Sequence, residues 1–233
     1  MPVPEYRRAV ARCWSMRADA AQRARERGST DPGLRAGVTS GKHLDPLANL
    51  VEQVLVDAGL PPSSIHKDRG VELPGYYRPE KKWDVVAVYD GTVVAAVEFK
   101  SILGSYGNNM NNRTEEALGN ATDLLEAAEK GLLGVTPPWL GYVFLMQDEP
   151  ASRSPVRVRQ THFPVDAQFT NSSYQDRALL MCRRLVLRRL YNAAWFITGD
   201  GKGTPEGIGE PAHDLSWVKF EASLRGRVAE VLA

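Results

Sequence analysis

The chain has 233 residues, 29 basic against 28 acidic side chains and 43% apolar residues, the composition of an ordinary folded protein with room for a real core. Its 2 cysteines, Cys13 and Cys182, cannot make a structural zinc site alone and suggest no oxidised scaffold. No apolar run reaches the roughly 18 residues a membrane span needs, and the N-terminal MPVPEYRRAVARCW lacks the apolar core of a secretion signal, so the expectation is a cytosolic protein without membrane contact.

The formal net charge of +1 hides an uneven distribution. Residues 1–42 hold nine basic and four acidic side chains, residues 115–149 one and seven, and residues 153–189 eight and two. Two arginine-rich segments can face a polyanion or simply form solvated helix surfaces, and charge alone does not choose between them.

Residues 4–27 are rich in Ala, Arg, Glu and Gln and predict a helix with Tyr6, Val10, Cys13, Trp14 and Met16 on its apolar face. Gly28 to Gly41 reads as loop. A second helix is expected from Asp45 to Ala58, with Asp45 as its cap, Pro46 at its first turn and Gly59 beyond its end. Pro61 to Lys82, broken by Pro and Gly, reads mostly as loop. WDVVAVY (Trp83–Tyr89), Asp90-Gly91 and TVVAAVEFK (Thr92–Lys100) then predict two strands around a tight turn.

A polar loop is expected from Gly104 to Asn112, followed by a helix that Asn112 and Glu115 start and that runs to about Lys130. GYVFLMQ (Gly141–Gln147) predicts a buried strand, Asp148–Ser173 a loop, Tyr174 to about Tyr191 a long helix, WFIT (Trp195–Thr198) a strand, and the last turns of the chain a helix. The order is mixed α/β, a sheet covered by helices. Residues 1–40 are expected to form an appended helical arm and residues 41–233 one compact domain.

Chemistry concentrates at Asp84 and, fourteen residues on, Glu98-Phe99-Lys100. Charged side chains at the end of an apolar strand are costly to bury without a partner or a task. Strand periodicity places Glu98 and Lys100 on one face and Val97 and Phe99 on the other. Two carboxylates converging there would make a hard-oxygen site for Mg²⁺, and a nearby lysine could orient or deprotonate a water for attack on phosphorus. The plainer alternative is an exposed strand end carrying an incidental Glu–Lys pair, worth about 0–1 kcal/mol.

The hairpin register bears on this. With a two-residue Asp90-Gly91 loop and regular pairing, Asp84 would face away from Glu98. A three-residue loop, Tyr89 to Gly91, brings it to the same face, so a type I turn with a G1 bulge and Gly91 at positive φ is expected. A second copy of the string, Asp68 then Glu80-Lys81-Lys82, lies among Pro74, Gly75 and Pro79, where a strand is not expected, and is set aside. GVTSGKH (Gly37–His43) is one residue short of a phosphate loop, Gly199, Gly201 and Gly203 are followed by Pro205 where a dinucleotide site needs a helix, and the four histidines have no metal-binding spacing.

At Asp84…Glu98-Phe99-Lys100 the chain resembles the PD-(D/E)xK nuclease superfamily, with Trp83-Asp84 where Pro-Asp is common. SGKHLD (Ser40–Asp45), LPGYYRPEKKWD (Leu73–Asp84), VEFKS (Val97–Ser101), GNNMNNRTEEALGNATDL (Gly107–Leu124) and RRLYNAAWFIT (Arg188–Thr198) narrow the resemblance to the XhoI-like type II restriction endonucleases. It implies a mixed β-sheet flanked by helices. It also implies Mg²⁺-dependent cleavage of double-stranded DNA at the palindrome CTCGAG, after its first C, by a homodimer in a prokaryotic cytoplasm, with a cognate DNA methyltransferase protecting the host.

Carried onto this sequence, the resemblance makes Asp84 and Glu98 metal ligands, adds the backbone carbonyl of Phe99, and gives Lys100 the water. Glu52 is a candidate further ligand or a plain solvent-side helix residue. For base reading the chain offers Asn108, Asn109, Asn111, Asn112 and Arg113, since Asn suits adenine and Arg guanine in the major groove; the same asparagines could only cap a helix or fill a turn. Arg183, Arg184, Arg188 and Arg189 could meet phosphates or solvent, and Glu115 and Glu116 would complement a helix dipole. The rival readings are a structure-specific repair or recombination nuclease on the same core and a DNA-binding module that never cuts.

Overall fold

The computed structural model describes residues 3–26 and 42–233. The loop expected at 28–41, with Ser40 and Gly41 of the family-like stretch and most of GVTSGKH, lies outside them. The helices are α1 (Glu5–Glu26), α2 (Asp45–Asp57), α3 (Tyr106–Glu129), the short α4 (Pro150–Arg153), α5 (Tyr174–Leu187) and α6 (Trp217–Leu232). The strands are β1 (Ile65–His66), β2 (Glu72–Pro74), β3 (Glu80–Lys82), β4 (Val85–Tyr89), β5 (Thr92–Ile102), β6 (Trp139–Gln147), β7 (Ala193–Gly199) and β8 (Ile208–Gly209).

Six strands form one mixed sheet in the order β1-β4-β5-β6-β7-β8, parallel at β5–β6 and β6–β7 and antiparallel elsewhere. This is the α/β architecture expected from the sequence. Strand β6, WLGYVFLMQ, is apolar on both faces because helices cover both. The crossover helices α3 and α5 lie on one face, as two steps in the same direction with the same handedness require; the β2–β3 hairpin joins them there through Val71, Leu73 and Trp83. The other face is covered by α1, α2 and α6. Helix α1 packs into that core through Val10, Cys13 and Trp14, all buried against the sheet layer.

The β4–β5 hairpin differs from the expected register in an instructive way. Its turn is the two-residue Asp90-Gly91, with φ of 47° and 69°, the pattern of a type I′ turn, and Tyr89 pairs with Thr92. Gly91 has the expected positive φ, but the expected three-residue loop is absent. A bulge corrects the parity instead: Val88 pairs with Val93 and Ala87 with Ala95, leaving Val94 unopposed. From there the ladder runs Val86–Ala96 and Val85–Val97, so the next residues, Asp84 and Glu98, face each other on one side of the sheet. The freed carbonyl of Val94 is not left bare: it accepts from Nε of buried Arg227 on α6, at 3.2 Å.

Three further boundaries depart from the sequence reading. The asparagine-rich stretch is not a loop, because α3 already starts at Tyr106, after Ser105 in the left-handed region at φ 49°. Leu44, not Asp45, caps α2, and Asp45 sits in its first turn. Glu80-Lys81-Lys82 is a strand after all, paired with Glu72–Pro74. Its hairpin is closed from outside: the Asp123 carboxylate of α3 accepts from the Tyr76 and Tyr77 amides at 2.8 and 2.7 Å and from Arg78 Nε at 2.6 Å. Gly75 makes room for it, since a Cβ there would sit 2.5 Å from Asp123 Oδ2.

Candidate active site

The bulge, the strand alternation and the β2–β3 hairpin converge on one buried carboxylate. Glu98 is 3% exposed and lies on the α3 side of β5. Its Oε1 is ion-paired with Lys100, two residues along the same face, and its Oε2 accepts from Lys81 of β3 at 2.5 Å. Asp84 stands opposite, at the open end, and keeps solvent access. One oxygen of Asp84 accepts the Phe99 amide at 2.7 Å, while the Phe99 ring is buried in the other face of the sheet. Glu116 of α3 completes the ring of charges, 3.5 Å from Lys100 Nζ and 2.5 Å from Arg113 Nη1.

The electrostatics follow from packing protein around one acid and setting a second beside it. Protein packed around the Asp84 carboxyl raises its pKa to about 6, and the neighbouring Glu98 charge adds to this; the Phe99 N–H, Lys100 and Lys81 pull the other way. Burial alone would lower the Lys100 pKa, but Glu98, Glu116 and Asp84 outweigh it and hold the ammonium above its ordinary value. Lys100 is therefore a charged donor at neutral pH in the metal-free protein, suited to orienting an oxygen more than to taking a proton.

Asp84 and Glu98 fit a hard cation. A carboxyl raised toward neutrality first by burial and then by a neighbouring like charge is relieved by a cation between the two acids, and Mg²⁺ is commonly bound by only one or two carboxylates, with water completing its shell. Among the described residues no group of three or more His, Cys, Asp or Glu side chains is placed to hold a metal ion together, so a third protein ligand would come from a main-chain oxygen. The structure does not bring Glu52 to this pair: Glu52 is ion-paired with Lys67, which also donates to Asn49 at 2.6 Å. His43 lies on the far side of β5, its Nε2 3.2 Å from Ser101 Oγ; burial, with Arg17 nearby, lowers its pKa to about 4.

The base-reading candidates separate on α3. Asn108, Asn111 and Asn112 share an exposed helix face. Asn109 turns back to donate to the Gly104 carbonyl at 2.9 Å, and Arg113 is engaged by Glu116. Asn111 also lines a groove of about 630 Å³ between α3, α5 and the loop after α4, whose wall carries Arg177, Arg184 and Arg188. Arg184 is held by Asp166, and Arg183 makes a two-pronged pair with Asp214 at 2.7 and 2.9 Å. Glu115 and Glu116 do not complement a helix dipole: with α3 starting at Tyr106 they lie in its third turn, beyond that field's reach.

Lys81 is the site residue that sequence reasoning discarded. Its signal was present, since Glu80-Lys81-Lys82 leads directly into Trp83-Asp84, but the flanking prolines and glycine argued against a strand. Arg227 and Asp123 gave no local signal at all.

Known proteins are similar to this chain over most of its length. A model of the family described as restriction endonuclease XhoI matches residues 23–210. The type II restriction enzyme BstVI of Geobacillus stearothermophilus is 42% identical over 207 residues, covering 85% of this chain and 92% of that protein. The type II restriction enzyme XhoI of Xanthomonas vasicola is 43% identical over 184 residues, 77% of this chain and 73% of that one. AbrI of Azospirillum brasilense, another type II restriction enzyme, is 41% identical over 160 residues, 67% and 72% of the two chains. No solved structure matches the chain significantly. No helix among the described residues is long and apolar enough to cross a membrane.

Proposed function

The chain belongs to the restriction endonuclease XhoI family, and from that membership we propose that it is a type II restriction endonuclease cutting double-stranded DNA at CTCGAG, after the first C, by Mg²⁺-dependent phosphodiester hydrolysis. The observation that carries the mechanism is the bulged register that sets Asp84 opposite Glu98 beside Lys100. Asp84, Glu98 and the Phe99 carbonyl would hold the ion, which when bound supplies Lewis-acid stabilisation of the charge developing on phosphorus and an acidified water. Lys100 orients the attacking water and faces the scissile phosphate as a fixed positive charge. The water oxygen loses a proton to solvent and forms the new bond to phosphorus as the P–O3′ bond breaks, and the O3′ oxyanion takes a proton from solvent, leaving a 5′-phosphate and a 3′-hydroxyl. Asn108, Asn111 and Asn112, exposed on α3, are the first candidates for base edges, and Asn109 and Arg113 join them if they exchange their present partners.

A two-fold symmetric site is best read by a two-fold symmetric protein, so the active form is a homodimer. Its functional partner is a methyltransferase with the same specificity, in a prokaryotic cytoplasm. The test is digestion of a sequenced plasmid in Mg²⁺, with EDTA and Glu98→Ala as controls, followed by sequencing of the ends. Fragments ending at CTCGAG are expected. Glu98→Ala should lower the cutting rate by at least about 10³-fold with the fold intact by circular dichroism. Cutting by Glu98→Ala at the wild-type rate would remove the site, and discrete ends elsewhere would retain the chemistry and reject the specificity.

A further inference from the structure

The reaction above uses Lys100 and leaves Lys81 without a task, yet Lys81 is built into the site with more care than a stray ion pair requires. Its ammonium lies 2.5 Å from Glu98 Oε2, donates to the Lys82 carbonyl at 2.9 Å, and sits 4.1 Å from the centroid of the buried Trp83 ring. The side chains of Lys81 and Glu98 are 10% and 4% exposed. The hairpin that carries Lys81 is anchored independently by Asp123, which fixes the Tyr76 and Tyr77 amides and Arg78. Neutralising Glu98 does not need this arrangement, because Lys100 already pairs with its other oxygen. Taking a second ammonium out of water has a desolvation cost that a mere structural pair seldom repays.

The charges at the site also balance as they stand: Glu98 and Glu116 are paired with Lys81, Lys100 and Arg113, and Asp84 stands opposite Glu98 as the third acid. A divalent cation added to that set leaves it doubly positive, unless a cation withdraws from Glu98 or an anion arrives. DNA supplies the anion, as the phosphate to be cut. We propose that Lys81 is a built-in counter-ion that competes with the divalent cation for Glu98, so that the metal and a DNA phosphate load the site together. Lys81 is a positioning residue in this scheme, acting through Glu98, and the inference rests on the metal-dependent reading above.

Calorimetric titration of the full chain with Ca²⁺, with and without a CTCGAG duplex, tests it. In wild type the duplex should tighten Ca²⁺ binding. Lys81→Met, which keeps the stem against Trp83 and removes the charge, should bind Ca²⁺ without DNA at least about tenfold more tightly, the size expected for losing one close cation in a partly shielded site. The enhancement by DNA should shrink correspondingly, because the counter-ion whose competition the duplex relieves is gone, and Ca²⁺ should tighten duplex binding by the same factor as the duplex tightens Ca²⁺. Lys81→Arg should behave as wild type, and in a Glu98→Gln background the gain from Lys81→Met should vanish. If Lys81→Met does not fold by circular dichroism, Lys81→Gln takes its place in the same titration. Ca²⁺ affinity unchanged or weakened by Lys81→Met, in a preparation whose wild type cuts plasmid, overturns the role of Lys81 and leaves the nuclease reading standing. A wild type that takes up no Ca²⁺ with or without duplex overturns the metal site and the role of Lys81 together.

Discussion

Two hairpins meet at Glu98, and they are built by opposite means. The β4–β5 hairpin is written locally, in two apolar runs around Asp90-Gly91, and would be recognised in any context. The β2–β3 hairpin has three-residue strands and a Pro- and Gly-rich tip, and nothing in its own sequence makes it stable. Each nonetheless depends at its critical point on one buried charged residue from a helix far away in sequence. Arg227 of α6 reaches the bulge in β5, and Asp123 of α3 closes the tip of β2–β3. Local pattern decides that a hairpin forms, and a remote charge decides its register or its pose.

The largest effect should come from Arg227. Its guanidinium donates to the carbonyls of Val94 and Pro137 at 3.2 and 3.1 Å, to Thr136 at 2.8 Å and to Glu230 at 3.0 Å. Arg227→Met leaves the carbonyl of buried Val94 without this donor and removes the bonds to Thr136, Pro137 and Glu230, and should cost about 2–4 kcal/mol, read as the shift of a denaturant midpoint. Because the bulge sets Asp84 opposite Glu98, cutting should fall by about 10²-fold even under conditions where the variant is folded. A destabilised variant that still cuts at full rate would show that the bulge holds its register without Arg227.

Asp123→Ala should cost less, about 1–3 kcal/mol, since it removes the acceptor of two amides at a tip whose residues Tyr76 and Tyr77 are exposed, and Arg78, partly exposed, can turn to water. Its signature is local. The hairpin should open ahead of the core, and trypsin should cut after Lys81 or Lys82 under native conditions while wild type resists. Burial alone would raise the Asp123 pKa, but the Tyr77 N–H and Arg78 outweigh it and hold it below the ordinary carboxylate value. Its stabilisation is therefore present at neutral pH and lost as the solution is acidified below the ordinary carboxylate pKa. Equal trypsin resistance in the variant would mean that β2–β3 needs no clamp.

The same contrast explains what the sequence made legible. The helices α1, α2, α5 and α6 could be read from helix-forming composition and apolar faces, and strands β4 to β7 from short, nearly continuous apolar runs rich in Val and aromatic residues. The bulge could not, because VVAAV is apolar at every position and carries no alternation to show a slip. Sequence reasoning reached the correct facing of Asp84 and Glu98 by moving the irregularity into the turn; the protein puts it in the strand, where α6 can hold it. The start of α3 was hidden by asparagines, whose turn preference is overridden by Tyr106 and Met110 packing into the core. Lys81 was hidden by a rule that holds for strands stabilised by their own pattern and fails for one clamped from a neighbouring helix.

The smallest expected effect on stability concerns Asp84 itself, and it separates the chemistry of the site from its stability. Asp84 has a pKa of about 6 in the folded metal-free protein against an ordinary 3.8. A carboxyl raised by folding favours the folded state fully below its unfolded value, and that contribution is lost as pH rises through the folded value. At pH 8 without metal, the ionised Asp84 should therefore weigh against the fold, by an amount that its solvent access keeps small. Asp84→Asn, which cannot ionise and still offers an acceptor to the Phe99 N–H, should melt slightly higher than wild type at pH 8 in EDTA. The gap should narrow as pH falls below about 6 and close near pH 4, while cutting is lost at every pH. Melting curves in EDTA across that range check it: a gap that does not depend on pH would mean that Asp84 ionises freely and that the two acids are less crowded than the bulged register makes them.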